Sequence, residues 1–335
     1  MSKGPRTDLE ISLADMLMVS TESGFFAKIE DKQTGGLLSK FYYGGQAVLE
    51  GVMMRGRDRM AVAVRREDGT LAMLEEPLNP RVFSGPVTRI PFLRGVVMIW
   101  EMLSLGIKAM GFSAKVATND EAEEKSGAGL AVTVALSILF SVVLFFLLPH
   151  GITILFDRWL PGSVLKNLFE GFVRLSVVLL YIVAIGRVPD IRRVFGYHGA
   201  EHKTINAYEA GAELTTDEVA RHSTRHPRCG TGFLLTVVLV SVLVFALAGW
   251  PALWLRLLAR VVFVPVIAAV SYELLRLGAR YYHVPFVRVL LAPSLAMQGL
   301  TTREPDEPML EAAITALNAV LPARVLDVEQ APELV

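Results

Sequence analysis

The chain has 335 residues, 53% of them hydrophobic and 20% charged, and its mean hydropathy of +0.46 is too high for an ordinary soluble protein of this size. Its 33 basic and 33 acidic side chains cancel to a formal net charge of zero, which excludes the strongly basic field of a nucleic-acid binder, so no nucleic-acid partner is expected. One cysteine excludes an intramolecular disulfide framework and suits a reducing compartment, leaving Cys229 free, a ligand or simply buried.

Residues 1–40 mix Gly, Ser, Thr, Lys and Asp around one apolar patch, Leu13 to Val19. They lack a basic-then-apolar signal peptide pattern and read as a mobile tail, so insertion is expected to rely on internal segments. From Gly44 the pattern becomes short and β-like, with strands predicted over Gln46–Met54, Met60–Arg66 and Thr70–Leu74. They are joined by Arg55-Gly56-Arg57-Asp58 and by Glu67-Asp68-Gly69, where Asp-Gly is a strong hairpin signal. A small β domain is expected over 41–91. Residues 92–112 are apolar apart from Arg94, Glu101 and Lys108, whose seven-residue spacing puts them on one helix face. The cost of burying three charges in lipid favours an interfacial or protein-packed helix over a true span. This helix and the acidic stretch Asp120 to Lys125 make up a unit at 92–125.

Leu130 to Leu148 carries no charge and predicts a first transmembrane helix. The second, Val173 to Val188, continues an apolar run begun near Val164 and interrupted by Lys166, Glu170 and Arg174 at helical spacing. A third is expected over Gly232–Trp250 and a fourth from about Ala259 to Leu275, with Trp250-Pro251-Ala252-Leu253-Trp254 as a tight interfacial turn between them. The fold class is thus a mainly α multi-pass membrane protein of about four transmembrane helices plus an interfacial or packed helix, with a small N-terminal β domain. The four helices occupy 126–275 and enclose a His-rich loop at 187–231. That loop contains Arg187, Arg192, Arg193, Lys203, Arg221, Arg225 and Arg228, while the links after spans one and three carry few basic residues. The positive-inside rule makes the loop cytoplasmic, and with four spans both termini and the 276–335 segment follow. A fifth span at 92–112 would move the β domain to the other side. Met309 to Leu321 reads as a soluble amphipathic helix after the extended Thr301-Thr302-Arg303-Glu304-Pro305.

The chemistry concentrates in Tyr197-His198-Gly199-Ala200-Glu201-His202-Lys203 and His226-Pro227-Arg228-Cys229. His198 to His202 has the form H-x-x-E-H, the inverted zinc-protease motif. On a helix the two histidines share a face and can hold one Zn or another divalent transition metal, with Glu201 placed to take a proton from water. A third ligand is needed. Glu209 shares the face of His202, but seven residues of helix span about 10 Å, too far for one ion. His226 and Cys229 are better placed if their loop folds back, Glu50 and Glu273 less so. His222 and Arg225 could meet an anionic headgroup. The competing explanation is structural: such groups at a membrane boundary also contact headgroups, satisfy carbonyls or pair with Glu201 and Glu209. Phosphate-loop, serine-nucleophile and base-stacking signatures are absent.

Gly44-Gly45-Gln46-Ala47-Val48-Leu49-Glu50-Gly51-Val52-Met53-Met54-Arg55, Arg94-Gly95, Tyr197 to Lys203, His226-Pro227-Arg228-Cys229-Gly230-Thr231, Ser271-Tyr272-Glu273 and Thr301 to Pro305 together resemble the YqhQ-like family, domain of unknown function 1385. The resemblance covers roughly residues 40–321. It implies a bacterial inner-membrane protein, and the family's label of predicted metal-dependent enzyme itself rests on motifs of this kind. The family often has Ser where this chain has Gly232, which disturbs none of the proposed ligands. The resemblance also raises Gln46, Glu50, Arg55 and Arg94, and implies a β segment docked on the cytoplasmic helix ends, with Arg55 or Arg94 facing the His-rich loop.

Two functions follow as expectations. One is a metal-dependent hydrolase at the cytoplasmic membrane face, with His198, His202 and either His226 or Cys229 as ligands, Glu201 as general base, and Glu50, Arg55, Arg94, Glu209, Arg228 and Glu273 in support. The other is a non-catalytic scaffold or assembly factor in membrane-protein insertion, translocation or quality control. Partners are then the lipid bilayer, other membrane proteins or further copies of the chain. A transporter would want polar residues at mid-membrane in several spans, and Leu130–Leu148 and Gly232–Ala248 offer almost none beyond Ser and Thr.

Overall fold

A computed structural model describes residues 41–79, 90–117, 127–249 and 252–322. The expected tail at 1–40, the acidic stretch at 120–125 and the Trp250-Pro251 part of the interfacial turn lie outside the described residues. The chain is mostly helical, with one small antiparallel sheet near its start.

The sheet is a meander of β1 (Gly44–Val48), β2 (Gly51–Arg55), β3 (Arg59–Arg65) and β4 (Leu71–Pro77), paired in chain order. The first expected strand is in fact two. Val48 pairs with Gly51 across a two-residue turn, Leu49-Glu50, and Glu50 adopts a φ of 51°. A left-handed glutamate lacks the usual Asn-Gly signature, so the apolar pattern read straight through it. The Asp68-Gly69 turn forms as expected, with Asp68 accepting from Thr70 N at 2.8 Å.

Helix α1 (Leu93–Ala117) covers one face of the sheet. Its Leu105 and Ala109 pack on Val48, Met53, Met60, Val62 and Val64. Its opposite face exposes Val96, Trp100, Leu103, Ile107 and Met110, an apolar stripe at helical spacing. Three of its four charges form ion pairs: Arg94 with Glu273, Glu101 with Arg55, and Lys108 with Glu76, while Lys115 lies in its last turn.

Four more stretches complete the apolar set. Helix α2 (Gly127–Val142) runs through a π turn, Val143–Leu147, into α3 (Leu148–Leu155), and α4 (Gly162–Ile185) follows. Helix α5 (Pro189–Ala210) and the short α6 (Thr216–Val219) precede α7 (Gly230–Ala248) and α8 (Leu253–Arg280). Among the described residues five helices, Leu93–Ala117, Val132–Leu155, Gly162–Ile185, Gly230–Ala248 and Trp254–Arg280, are long and apolar enough to cross a membrane. Side chains such as Leu243, Leu247 and Val261 point outward with no protein cover, a surface suited to lipid and not to water.

Helix α9 (Pro285–Thr301) has no counterpart in the sequence pattern. Pro293 interrupts its interior and hides it, while Pro285 serves its first turn, where a missing N–H costs nothing. Helix α10 (Glu307–Val320) starts on an Asp306 cap that accepts from Met309 N at 3.0 Å. It packs on α5 and on the second face of the sheet, so Leu310, Ala313 and Leu317 meet Val52, Met54, Ala61 and Ala63. Each large apolar side chain fully buried in these two cores stabilises the fold by about 1.5–3 kcal/mol. With both faces covered, β2 and β3 are near-continuous apolar runs rather than alternating ones.

Candidate metal centre

A three-residue link separates the end of α4 from α5, which has Pro189 in its first turn and Asp190 beside the helix N-terminus. His198 and His202 lie one turn apart and project to the same side. The segment 220–229 folds back over α5 because side chains hold its carbonyls. Lys203 Nζ donates to Ala220 O at 2.6 Å and His222 O at 2.8 Å, and pairs with Glu304 at 2.6 Å. Asn206 Nδ2 donates to Ser223 O at 2.7 Å and Arg225 O at 3.0 Å. From α9, Gln298 donates to His226 O at 2.8 Å and accepts from His226 N at 2.9 Å. Each such bond is worth about 0.5–1.5 kcal/mol net, and more is lost if a buried partner is left unmade. The segment ends at Cys229, the N-cap of α7, whose Sγ accepts from Thr231 N at 3.4 Å.

The result is a convergence of three donors. Ligand atoms of His198, His202 and Cys229 all lie within 4.8 Å of one another, and His198 Nε2 is 3.2 Å from Cys229 Sγ. His198 Nδ1 is 2.9 Å from Thr301 O and His202 Nδ1 is 2.5 Å from Thr224 O. A carbonyl only accepts, so each ring carries its hydrogen on Nδ1 and turns the lone pair of Nε2 into the cluster. Backbone carbonyls on the far nitrogen are what orient a metal-ligating histidine. A tetrahedral zinc with these ligands sets donor separations of about 3.3–3.8 Å, so little movement would be needed to close around an ion. Glu201 Oε2 stands 3.6 Å from His202 Nε2 and 4.0 Å from His198 Nε2.

The cluster is enclosed: His202 is 1% exposed and Glu201 6%, and Cys229 is buried, while His198 is only partly so. Burial disfavours an imidazolium at His202, but the neighbouring Glu201 carboxylate and Cys229 sulfur outweigh it and raise the basicity of the ring above normal.

The other candidate residues sit around this cluster. The His226 ring is 5.9 Å from that of His202 and stands outside the donor triad, 3.5 Å from Glu209 Oε2. Burial pushes the His226 imidazole below its ordinary value, so it is held neutral. Glu209 also pairs with Arg228. Glu50 receives two bonds from Arg193, at 2.6 and 2.5 Å, with Tyr197 Oη at 3.4 Å. Arg55 and Arg94, implied as partners of the His-rich loop, bind Glu101 and Glu273 instead, tying the sheet to α1 and α1 to α8. The sheet still reaches the cluster through Gly45, where an added Cβ would fall 2.8 Å from Glu201 Cγ. Thr224, Asn206 and Gln298 carry no signal in the sequence pattern, and Thr301 stands out there only as the first residue of the extended 301–305 motif. Lys203 was visible inside the motif, whereas Gln298 and Thr301 fell in or beside a stretch with no predicted element.

A family model described as "Protein of unknown function (DUF1385)" matches residues 90–323. The chain belongs to this family. Its match takes in the whole donor cluster and leaves out the sheet. The chain is also similar to "Uncharacterized protein YqhQ" of Bacillus subtilis (strain 168), 37% identical over 292 residues that cover 83% of this chain and 92% of the relative. No solved structure matches.

Proposed function

We propose that this member of the family is a metal-dependent hydrolase of the bacterial inner membrane, working at the cytoplasmic face on a membrane-delivered substrate. The observation that carries the reading is the convergence of His198 Nε2, His202 Nε2 and Cys229 Sγ, with the Glu201 carboxylate 3.6 Å from one imidazole. A bound Zn or similar divalent ion would supply Lewis-acid activation there. Glu201 takes the proton from water, and Thr301 O and Thr224 O hold the two imidazoles in the ligating tautomer. Basic residues on α5 and the 220–229 segment support, by the positive-inside rule, a cytoplasmic position for this end of the helices. Helix α1 lies in the interface, its covered face on the sheet and its Trp100 stripe in lipid, leaving four spans.

The enclosure of His202 and Glu201 favours a second reading, a closed structural centre in a non-catalytic scaffold or assembly factor. Glu201→Gln separates the two. The hydrolase reading expects this variant to keep its metal and lose turnover of peptide, ester and phosphodiester model substrates by about 10²–10⁴-fold, the usual contribution of a general base. Wild-type protein that retains metal and turns over none of these substrates, or a variant as active as wild type, contradicts it.

A further inference from the structure

The two edges of the sheet are built differently. At one, β4 carries Glu75 and Glu76 and ends on Pro77, charges and a proline of the kind that stop further strands from pairing. At the other, β1 reads Gly-Gly-Gln-Ala-Val, with neither charge nor proline. Its free backbone groups follow from the register. Val48 and Gly51 flank the two-residue turn and so exchange both ladder bonds, as do Gln46 with Met53 and Gly44 with Arg55 further along. The N–H and C=O of Gly45 and Ala47 therefore point away from β2. Among the described residues no hydrogen bond outside the strand pairing reaches them, and both residues are partly exposed.

That edge borders the metal centre. Strand β1 and its turn run along α5: the Tyr43 ring meets that of Tyr208 at 5.2 Å, Gly45 lies against Glu201, and Glu50 bonds to Arg193. The side of α5 that meets α10 is marked by Gly196, where an added Cβ would fall 2.6 Å from Met309 Sδ. At about 100° per residue, α5 turns Gly196 to α10, then Arg193, Tyr208 and Glu201 to β1, then His198 and His202 to the next face round. The order around the helix is thus α10, β1 and the histidines, so a strand added outside β1 comes to lie over the histidine face. Such a strand would sit about 4.8 Å beyond β1. His198, the next in this order after Glu201, is also the one member of the donor cluster that is not fully buried.

We infer that β1 takes an extended polypeptide segment as an added strand, and that this segment is the substrate presented to the His-Cys cluster. Strand addition binds polypeptide through its main chain, and main-chain donors and acceptors are what Gly45 and Ala47 offer. The pairing stands on the geometry of the sheet, whereas cleavage of the segment rests on the hydrolase reading. Cleavage consumes one water, whose oxygen joins the carbonyl carbon as the C–N bond breaks, and the proton taken by Glu201 passes to the leaving nitrogen.

The test uses full-length protein in mild detergent, carrying Glu201→Gln so that the probe is not consumed. The probe is a fluorescein-labelled peptide of alternating Val and Thr with a lysine at each end, and a copy N-methylated at consecutive residues keeps the side chains but loses the N–H groups. The parent peptide is expected to bind and to slow amide exchange over 44–48, the methylated copy to bind more than about tenfold more weakly. Ala47→Pro removes an outward N–H at an edge position that tolerates proline and is expected to weaken binding of the parent about tenfold, the loss of one hydrogen bond. Equal binding of the two peptides, unchanged exchange over 44–48, or an Ala47→Pro variant that binds as before overturns the added strand. Exchange over 44–48 that slows with protein concentration in the absence of peptide assigns the edge to a second copy of the chain and also overturns it. Should Ala47→Pro not fold, the peptide pair and the exchange data decide alone. Wild type that binds the parent peptide and leaves it uncut contradicts the hydrolase reading and leaves strand addition standing.

Discussion

Two buried polar clusters among the described residues turn opposite hydrogen-bonding groups inward. In the His198–His202–Cys229 cluster the N–H groups are already committed to Thr301 O and Thr224 O, and what faces inward is lone pairs beside the Glu201 carboxylate. In the Glu170 cluster a single carboxylate serves two guanidiniums and His150, and among the described residues the Arg260 Nη1 donor has no hydrogen-bond partner. The first cluster turns acceptors inward and the second turns a donor inward. Two sites built from the same few residue types are thus told apart by which atoms the surrounding backbone has already consumed.

Removing the carboxylate is the strongest way to break that contrast. Glu170→Ala leaves two buried guanidiniums facing each other and is expected to cost about 3–5 kcal/mol, seen as a large fall in the detergent melting temperature or a failure to accumulate in the membrane. A change of a degree or two would show that water reaches the arginines and that the Glu170 ion pairs stabilise little.

A smaller effect is expected where backbone positions a ligand. At Gly199 an added Cβ would fall 2.0 Å from Arg303 O, a contact no side-chain motion can relieve. Gly199→Ala should push the 301–305 segment away and with it Thr301 O, which orients His198. The expected cost is about 1–3 kcal/mol in stability and about 10-fold in zinc affinity by chelator competition. An unchanged affinity would mean that Thr301 O does not hold His198 in its ligating tautomer.

The smallest concerns pH. Burial alone would raise the Glu209 carboxyl, but His226 and Arg228 outweigh burial and hold it below the usual carboxylate range. A depressed folded-state value stabilises above the unfolded value, near 4.3, and that contribution is lost as pH falls through the folded value. Wild type should therefore lose about 1 kcal/mol more than Glu209→Gln on acidification below about pH 4.5. Parallel melting curves for the two would place no such interaction at Glu209.

What the sequence made legible was what local pattern encodes. The long apolar runs gave the membrane-length helices, and the i, i+4 spacing gave the pairing of His198 with His202. His226 and Cys229 stood equal as third ligands, because the choice depends on Lys203, Asn206 and Gln298 pinning the intervening segment from two different helices. The charges at Glu170 and Arg174 were visible as interruptions of a span. Their partner Arg260 lies 90 residues further on, so the polar core they form was not. Helix α9 was concealed by its two prolines, and the β1–β2 turn by a glutamate in a conformation usually left to glycine or asparagine.

The central claim is that the His-Cys cluster holds a cation. Elemental analysis of protein purified in mild detergent without a metal-binding tag, comparing wild type with the His198→Ala, His202→Ala double variant, tests it most directly. The account predicts about one equivalent of zinc or another transition metal per wild-type chain and none in a variant that still inserts into the membrane. Metal absent from wild type after zinc supplementation, or retained at the same level by the variant, would contradict it.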